Sequence, residues 1–404
     1  MSYHPLRSCL ALVSASLILA TAFTAPASAK SAPTRLATAD ASIGARVGAS
    51  VDIDKDYLVL GAPDDQEAGP FAGAVYVFER QGQTWKRTAK LLGPATSGFR
   101  EFGEAVAISG NTLVVGAPFD GPEGESRGAA YVYARKGKQW TLEARLTPSD
   151  SSLNQLFGDA VAISGTTIVV GAFLDSEAAP NAGAAYVFER IGSTWTQRAK
   201  LTASNASEFA FFGAALAIDG NTLLIGSPIA GMAYVFGLRA STWTEQAILT
   251  AYDQSPADYN AFGSSVALDD STLIIGAPLD GAGAPNTGAA YVFTKKGNTW
   301  TAQSKLLPAD GAGSDEFGTS VAVDDKQVAV GAPYHGESNS GAVYVFQARG
   351  NEWRADGKVT GTSGDAFLGA SVALVKNALL GGAPGFVDFG GTQSAGAGYV
   401  FPAR

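Results

Sequence analysis

The residues best placed to do chemistry are carboxylates that return at one position. Asp65, Asp120, Asp175 and Asp280 each stand four residues after the glycine of a Gly-Ala-Pro-like triplet; His335 takes that place in a further copy, and Ala230 and Phe386 in two more. Gathered on one side of a folded chain, these acids form a partial ring able to bind Ca²⁺ or a cationic ligand. Asp64, Glu67, Glu123, Glu125 and Glu177 lie close enough in sequence to add oxygens, so Asp64, Asp65, Glu67, Asp120, Glu123 and Glu125 form the candidate calcium set. The same spacing has a plainer use, because an aspartate there accepts backbone N–H groups and fixes its own loop as an Asx-turn. One ring can serve both purposes.

Aromatic residues flank the acids: Phe71, Phe119, Phe173, Tyr252, Tyr259, Tyr334 and Phe389. Exposed, they would anchor a protein or glycan; tucked inward, they would pack their own loops. The expected ligand-binding face is Asp65, Asp120, Asp175, Asp280, His335, Tyr334, Phe119 and Phe173. Catalysis has less support. His335 is the only histidine beyond residue 29, so the chain offers neither a histidine cluster for zinc nor a repeated general base. Pairs such as Asp64 with Asp65 or Asp315 with Glu316 supply the two carboxylates a glycosidase needs. Adjacent acids on a loop are more often solvated charge. The reading is a binding or scaffold module, with a carboxylate-dependent glycan-active enzyme and a structural envelope protein without a dedicated ligand as alternatives.

The elements that must carry these residues follow from a repeat. A Phe-Gly-type pair begins at Val47, Phe102, Phe157, Phe212, Phe262, Phe317 and Leu368, and a Gly-Ala-Pro-type triplet begins 13 residues after each pair's glycine. A Tyr-Val-aromatic triplet follows at Tyr76, Tyr131, Tyr186, Tyr234, Tyr291, Tyr344 and Tyr399, and a tryptophan nine residues later at Trp85, Trp140, Trp195, Trp243, Trp300 and Trp353. Alternating or β-branched runs between glycine, asparagine and aspartate turns make each unit four antiparallel strands, A to D. That is the blade of a propeller. The expected fold is all-β: a seven-bladed β-propeller of four-stranded antiparallel blades. The seventh unit lacks its strand D, and Arg35-Leu36-Ala37-Thr38 resembles the end of one. A strand at residues 34–38 is therefore expected to complete blade seven and close the ring, removing two sheet edges.

Lengths separate scaffold from elaboration. The A–B and C–D hairpins are constant, whereas the B–C and D–A connections vary. In an up-and-down meander those variable connections share one face. They hold 21 of the 37 acids, three arginines (Arg46, Arg100 and Arg127) and no lysine, so that face is expected to be negative. The fixed tryptophans read as packing between blades.

These landmarks resemble the FG-GAP repeats of integrin α-subunits, in a short bacterial variety, across residues 30–404. The resemblance implies a seven-bladed propeller with a role in adhesion or protein recognition. Integrin-type repeats hold Ca²⁺ in enlarged A–B hairpins; here the equivalent turns, such as Ser109-Gly110-Asn111 and Asp269-Asp270-Ser271, are too short to wrap an ion.

Residues 1–29 read as a secretory signal: Arg7, an apolar run from Leu10 to Phe23, and Ala27-Ser28-Ala29 as the cleavage site. The run is short for a membrane span, so no membrane insertion is expected after cleavage. Cys9, the one cysteine, leaves with the signal, excluding disulfide and thiol chemistry. The remainder has 37 acids against 27 bases, a poor match for nucleic acid. A periplasmic or extracellular monomer is expected, with a protein or glycan partner at the cell surface or in the envelope.

Overall fold

The computed structural model describes residues 33–402 except 37, 95–98, 123–124, 151–152, 254–258, 282–283, 362–365, 377 and 386–393. Glu123, Phe386, Phe389 and the signal-like segment lie outside the described residues. Pro33–Arg404 form one compact unit, built as seven four-stranded antiparallel sheets. Blade two is typical: Val106–Ser109, Thr112–Ala117, Ala129–Lys136 and Gln139–Leu146 pair in that order. Strand A of each blade lies against strand A of the next, and blade seven's lies against blade one's. The ring is closed.

Closure follows the expected route. Blade seven holds Ser371–Val375, Ala378–Ala383 and Ala397–Pro402, and its fourth strand is Thr34–Arg35. Thr34 pairs with Val400 and Arg35 with Tyr399, and the Leu36 N–H donates to the Gly398 carbonyl at 2.9 Å. Leu36 is buried at this seam beside Leu60, Tyr76 and Val400.

The core lies between blades. The cluster joining blades one and two, for example, sets Val59, Val75 and Val77 against Phe102, Ile108, Leu113 and Tyr131. Each buried phenylalanine of the Phe-Gly pairs meets the Tyr-Val-aromatic strand edge-on, as Phe102 does Tyr131 at 5.5 Å between ring centroids. Burial of such a side chain contributes about 1.5–3 kcal/mol. Trp140, Trp195, Trp243 and Trp300 are buried in these clusters too.

The two glycine landmarks have one cause. A Cβ on Gly116 would stand 1.9 Å from the carbonyl oxygen of Gly158 in the next blade, and one on Gly382 would stand 2.1 Å from that of Gly48 across the seam. Gly158 has a φ of +100°, which side chains other than glycine rarely adopt. The motif is thus the place where neighbouring backbones touch.

Candidate binding face

The antiparallel order puts the B–C and D–A connections on one face and the A–B and C–D hairpins on the other. On the hairpin face, strand A's last side chain reaches the next blade's turn. Ser164 Oγ accepts the Gly220 N–H at 3.1 Å, and Asp219 accepts the Asp270 N–H at 2.9 Å. These contacts surround an axial recess of about 400 Å³ lined by Ile53, Asp54, Ser109, Ser164, Asp219 and Asp269.

On the loop face the recurring aspartates point inward. Asp65, Asp120, Asp175 and Asp280 are buried, and each meets a tyrosine of strand C and a base of strand D. Register explains the trio: Tyr76 stands opposite Lys90, Tyr131 opposite Arg145, Tyr186 opposite Lys200 and Tyr291 opposite Lys305. Each pair therefore shares a sheet face and reaches one B–C loop. Tyr76 Oη donates to Asp65 at 3.0 Å and Lys90 Nζ bonds the same carboxylate at 3.0 Å. Asp120 takes Tyr131 at 2.6 Å, Arg145 at 2.8 Å, and Arg100. Asp280 takes Tyr291 at 2.6 Å and Lys305 at 3.0 Å. The local turn is present as well, since the Glu67 N–H bonds Asp65 Oδ1 and the Glu177 N–H bonds Asp175 Oδ1, both at 3.1 Å.

His335 occupies the same node in blade six. Its Nδ1 is 2.7 Å from Asp315 and its Nε2 2.6 Å from Lys358 Nζ, while Tyr344 and Lys358 both donate to Asp310. Blade four has lost acid and base together: Ile248 stands opposite Tyr234, whose hydroxyl turns to Asn205 at 2.7 Å. Burial pushes the Tyr234 phenol up to about 12.

The described members of the candidate calcium set are each held by a base. Asp64 is bonded to Arg46 at 2.7 Å, Asp65 and Glu67 to Lys90, Asp120 to two arginines, and Glu125 to Arg127 at 2.8 Å. A hard cation needs six or more oxygens free to turn toward it. Among the described residues no trio of acids or histidines is placed to hold a metal.

The chain matches the FG-GAP repeat sequence profile at residues 33–78, 85–133, 140–188, 195–236, 243–293 and 300–346. It belongs to the FG-GAP repeat family. The later five FG-GAP matches open on the strand-D tryptophan, and all six end on the strand-C aromatic residue, so the family unit runs D-A-B-C. Among solved structures, the chain of "Structure of U3-55K" has a TM-score of 0.56 to this one at 12% identity, over 91% of this chain and 98% of that chain, a likeness of fold. Comparison with curated proteins finds no match.

Three acids of this FG-GAP ring were not singled out by the repeat pattern. Glu101 precedes the Phe-Gly pair of blade two, and Glu104 and Asp159 follow the Phe-Gly glycines of blades two and three, where the other blades carry Ala49, Ala214, Ser264, Thr319 and Ala370. Arg46 serves Glu104 at 3.0 Å and Glu101 at 4.0 Å while also bound to Asp64. Burial and the neighbouring Glu104 carboxylate push both Glu101 and Asp159 up to about 7. For Glu104 and Asp159 the departure from the small residues of the other blades was the available signal, whereas Glu101 shares its place with Glu316 of blade six.

Beside them the surface is apolar. Ten of the thirteen exposed large apolar side chains among the described residues lie in the B–C and D–A connections. Phe71 and Phe99 are 38% and 48% exposed, with ring centroids 4.9 Å apart, and Phe99 meets the half-buried Phe119 at 5.2 Å. The half-buried Phe173 meets Phe211, and the exposed Tyr334 meets Phe367, each at 5.3 Å.

Proposed function

We propose that this FG-GAP propeller is an exported binding or scaffold module that recognises a protein partner through its loop face. The observation that carries the reading is the concentration of exposed aromatic and aliphatic side chains on the face whose connections vary in length. Apolar patches rimmed by polar groups mark interaction sites, and loops on a rigid scaffold carry recognition. The partner's matching patch is basic, because Asp64, Glu101 and Glu104 have Arg46 alone between them and Asp159 adds a further acid beside Glu101 and Glu104. Export rests on the three-part pattern of residues 1–29; among the described residues no helix is long and apolar enough to cross a membrane.

The test is affinity capture from the envelope and medium of the producing cells. Phe71→Ser with Phe99→Ser should abolish capture and leave stability within about 0.5 kcal/mol, since both rings are exposed. Lys138→Ser with Lys296→Ser, on the hairpin face, should leave capture intact, and capture should weaken with salt. Equal loss from both faces would refute the assignment. Glu101 and Asp159 keep one alternative alive, a glycan-active enzyme using them as acid and base. Polysaccharide turnover abolished by Glu101→Gln would establish it.

A further inference from the structure

The residue before each Phe-Gly-type pair adopts a backbone that side chains disfavour. Glu101 of blade two has a φ of 52°, and Arg46 of blade one and Leu156 of blade three have 54°. The same position in blades four to seven holds Phe211, Ala261, Glu316 and Phe367, at 58°, 56°, 53° and 67°. In this left-handed region a Cβ crowds the following carbonyl, so glycine, asparagine and aspartate enter it with least strain. The chain follows that rule elsewhere: five of its six C–D hairpins turn on a glycine, and a Cβ on one of them, Gly137 with a φ of 62°, would meet nothing within 4 Å. There glycine serves the backbone alone. Before the Phe-Gly pairs no copy carries glycine, asparagine or aspartate, and the seven copies hold five residue types. A packing need common to the blades would select one type, as it does for the strand-C tyrosine, present in all seven. Strain kept against the available remedy points to a use for the side chains.

The position lies at the loop-face end of strand A, and the strands A pack side by side round the ring. Its seven residues therefore form a collar, half-buried except at the buried Ala261. The collar is not uniform. On blades one and two it is charged: Arg46 reaches Glu101 at 4.0 Å and Glu104 at 3.0 Å, and Asp159 adds a carboxylate beside Glu104. On blades three to five it is apolar, with Leu156, Ala261 and Phe211, whose ring meets Phe173 at 5.3 Å. Burial disfavours the charged form of both collar carboxyls, Glu101 and Glu316, and a cation from outside would restore it.

We propose that this collar decides which partner the loop face accepts. It takes one protruding segment of a protein, with a lysine or arginine against the acids of blades one and two and an adjoining leucine or aromatic side chain against Leu156 and Phe211. Acids outnumber Arg46 on the charged arc, so its complement is a base, and the neighbouring arc offers an apolar anchor the seat it needs. The inference rests on the loop face being the binding surface.

Panning a random-peptide library on the wild-type protein should enrich sequences that set a lysine or arginine beside a leucine or aromatic residue. Exchanging the arcs, Glu101→Leu with Leu156→Glu, uses side chains that this backbone position already carries, so the variant should fold. Its Kd for the enriched peptide should rise at least about tenfold. Phe211→Gly removes the ring and relieves the backbone, and should weaken the same peptide by a similar factor. If the exchange does not fold, Glu101→Gln and Leu156→Ala decide by the same titration. A library that yields no shared sequence, or collar variants that bind the peptide unchanged, overturns the proposal. Where those variants bind unchanged and Phe71→Ser with Phe99→Ser does not, the loop face stands as the binding surface and only the role of the collar is lost.

Discussion

Two sets of carboxylates share the loop face and keep different company. The outer set, Asp65, Asp120, Asp175 and Asp280, recurs with the blades and is buried, each with a tyrosine and a base. The inner set, Glu101, Glu104 and Asp159, fills positions that are acidic in only two of the seven copies, Glu101 with Glu316 and Glu104 with Asp159, near the starts of the innermost strands, and Arg46 is the base at Glu101 and Glu104. In a ring of repeats, a residue present in most copies answers to what all copies need, which is a closed, rigid loop. A residue that departs from its copies answers to something local. The inner acids and the aromatic groups beside them are therefore the stronger candidates for recognition.

The comparison breaks most visibly on removal of one acid from each set. Asp65→Ala leaves the Tyr76 hydroxyl unpaired in a buried site and the Lys90 ammonium with Glu67 and the Asp40 carbonyl only, and should cost about 1–3 kcal/mol in denaturant unfolding. Asp159→Asn should be neutral or stabilising, because it relieves a carboxylate that burial and Glu104 already disfavour. Equal losses at the two would erase the distinction.

A smaller effect comes from building a node where one is missing. Ala230→Asp in blade four buries an acid without a base and should destabilise; combined with Ile248→Lys it should recover part of the loss. A coupling of about 0.5–3 kcal/mol is expected between such contacting sites. Additive effects would show that the register of strands C and D does not by itself make the node.

Another effect is a slope. Asp52 also departs from its copies, standing where the other blades have Ala107, Ala162, Ala217, Ala267, Ala322 and Ala373. Its carboxylate accepts the Ile53 N–H at 2.8 Å and the Ile108 N–H of blade two at 2.7 Å, yet burial pushes it up to about 7. The folded state then holds a proton that the unfolded chain has released above about pH 4. Stability should fall as pH rises from about 4 to about 7 and level off beyond. Asp52→Ala should flatten that part of the Tm–pH curve; an unchanged curve would mean the carboxyl titrates normally.

Much of the architecture was legible in the chain. Constant hairpin lengths and the orphan strand at Arg35-Leu36 sufficed for seven blades and their closure, because backbone contacts such as Gly116 with Gly158 tolerate no side chain. The positions of the outer aspartates were legible as well, but their company was not. Counting charge by segment assigned Lys90, Arg145, Lys200 and Lys305 to the strands, away from the acids they neutralise. The missing signal was an offset: each base stands 14 residues after the tyrosine of its blade, and blade four drops acid and base together. Whether Glu104 and Asp159 are compensated depends on which side chains meet around the axis, and no spacing along one chain reports that.

A double-mutant cycle on Asp65 and Lys90, read by denaturant unfolding, puts the division between outer and inner acids to its most direct test. Asp65→Ala and Lys90→Met should each destabilise, and the double variant should lose less than the sum of the two, by at least about 0.5 kcal/mol. Simple additivity would mean that the buried aspartate does not depend on its ammonium, leaving the outer acids as free for a ligand as the inner ones.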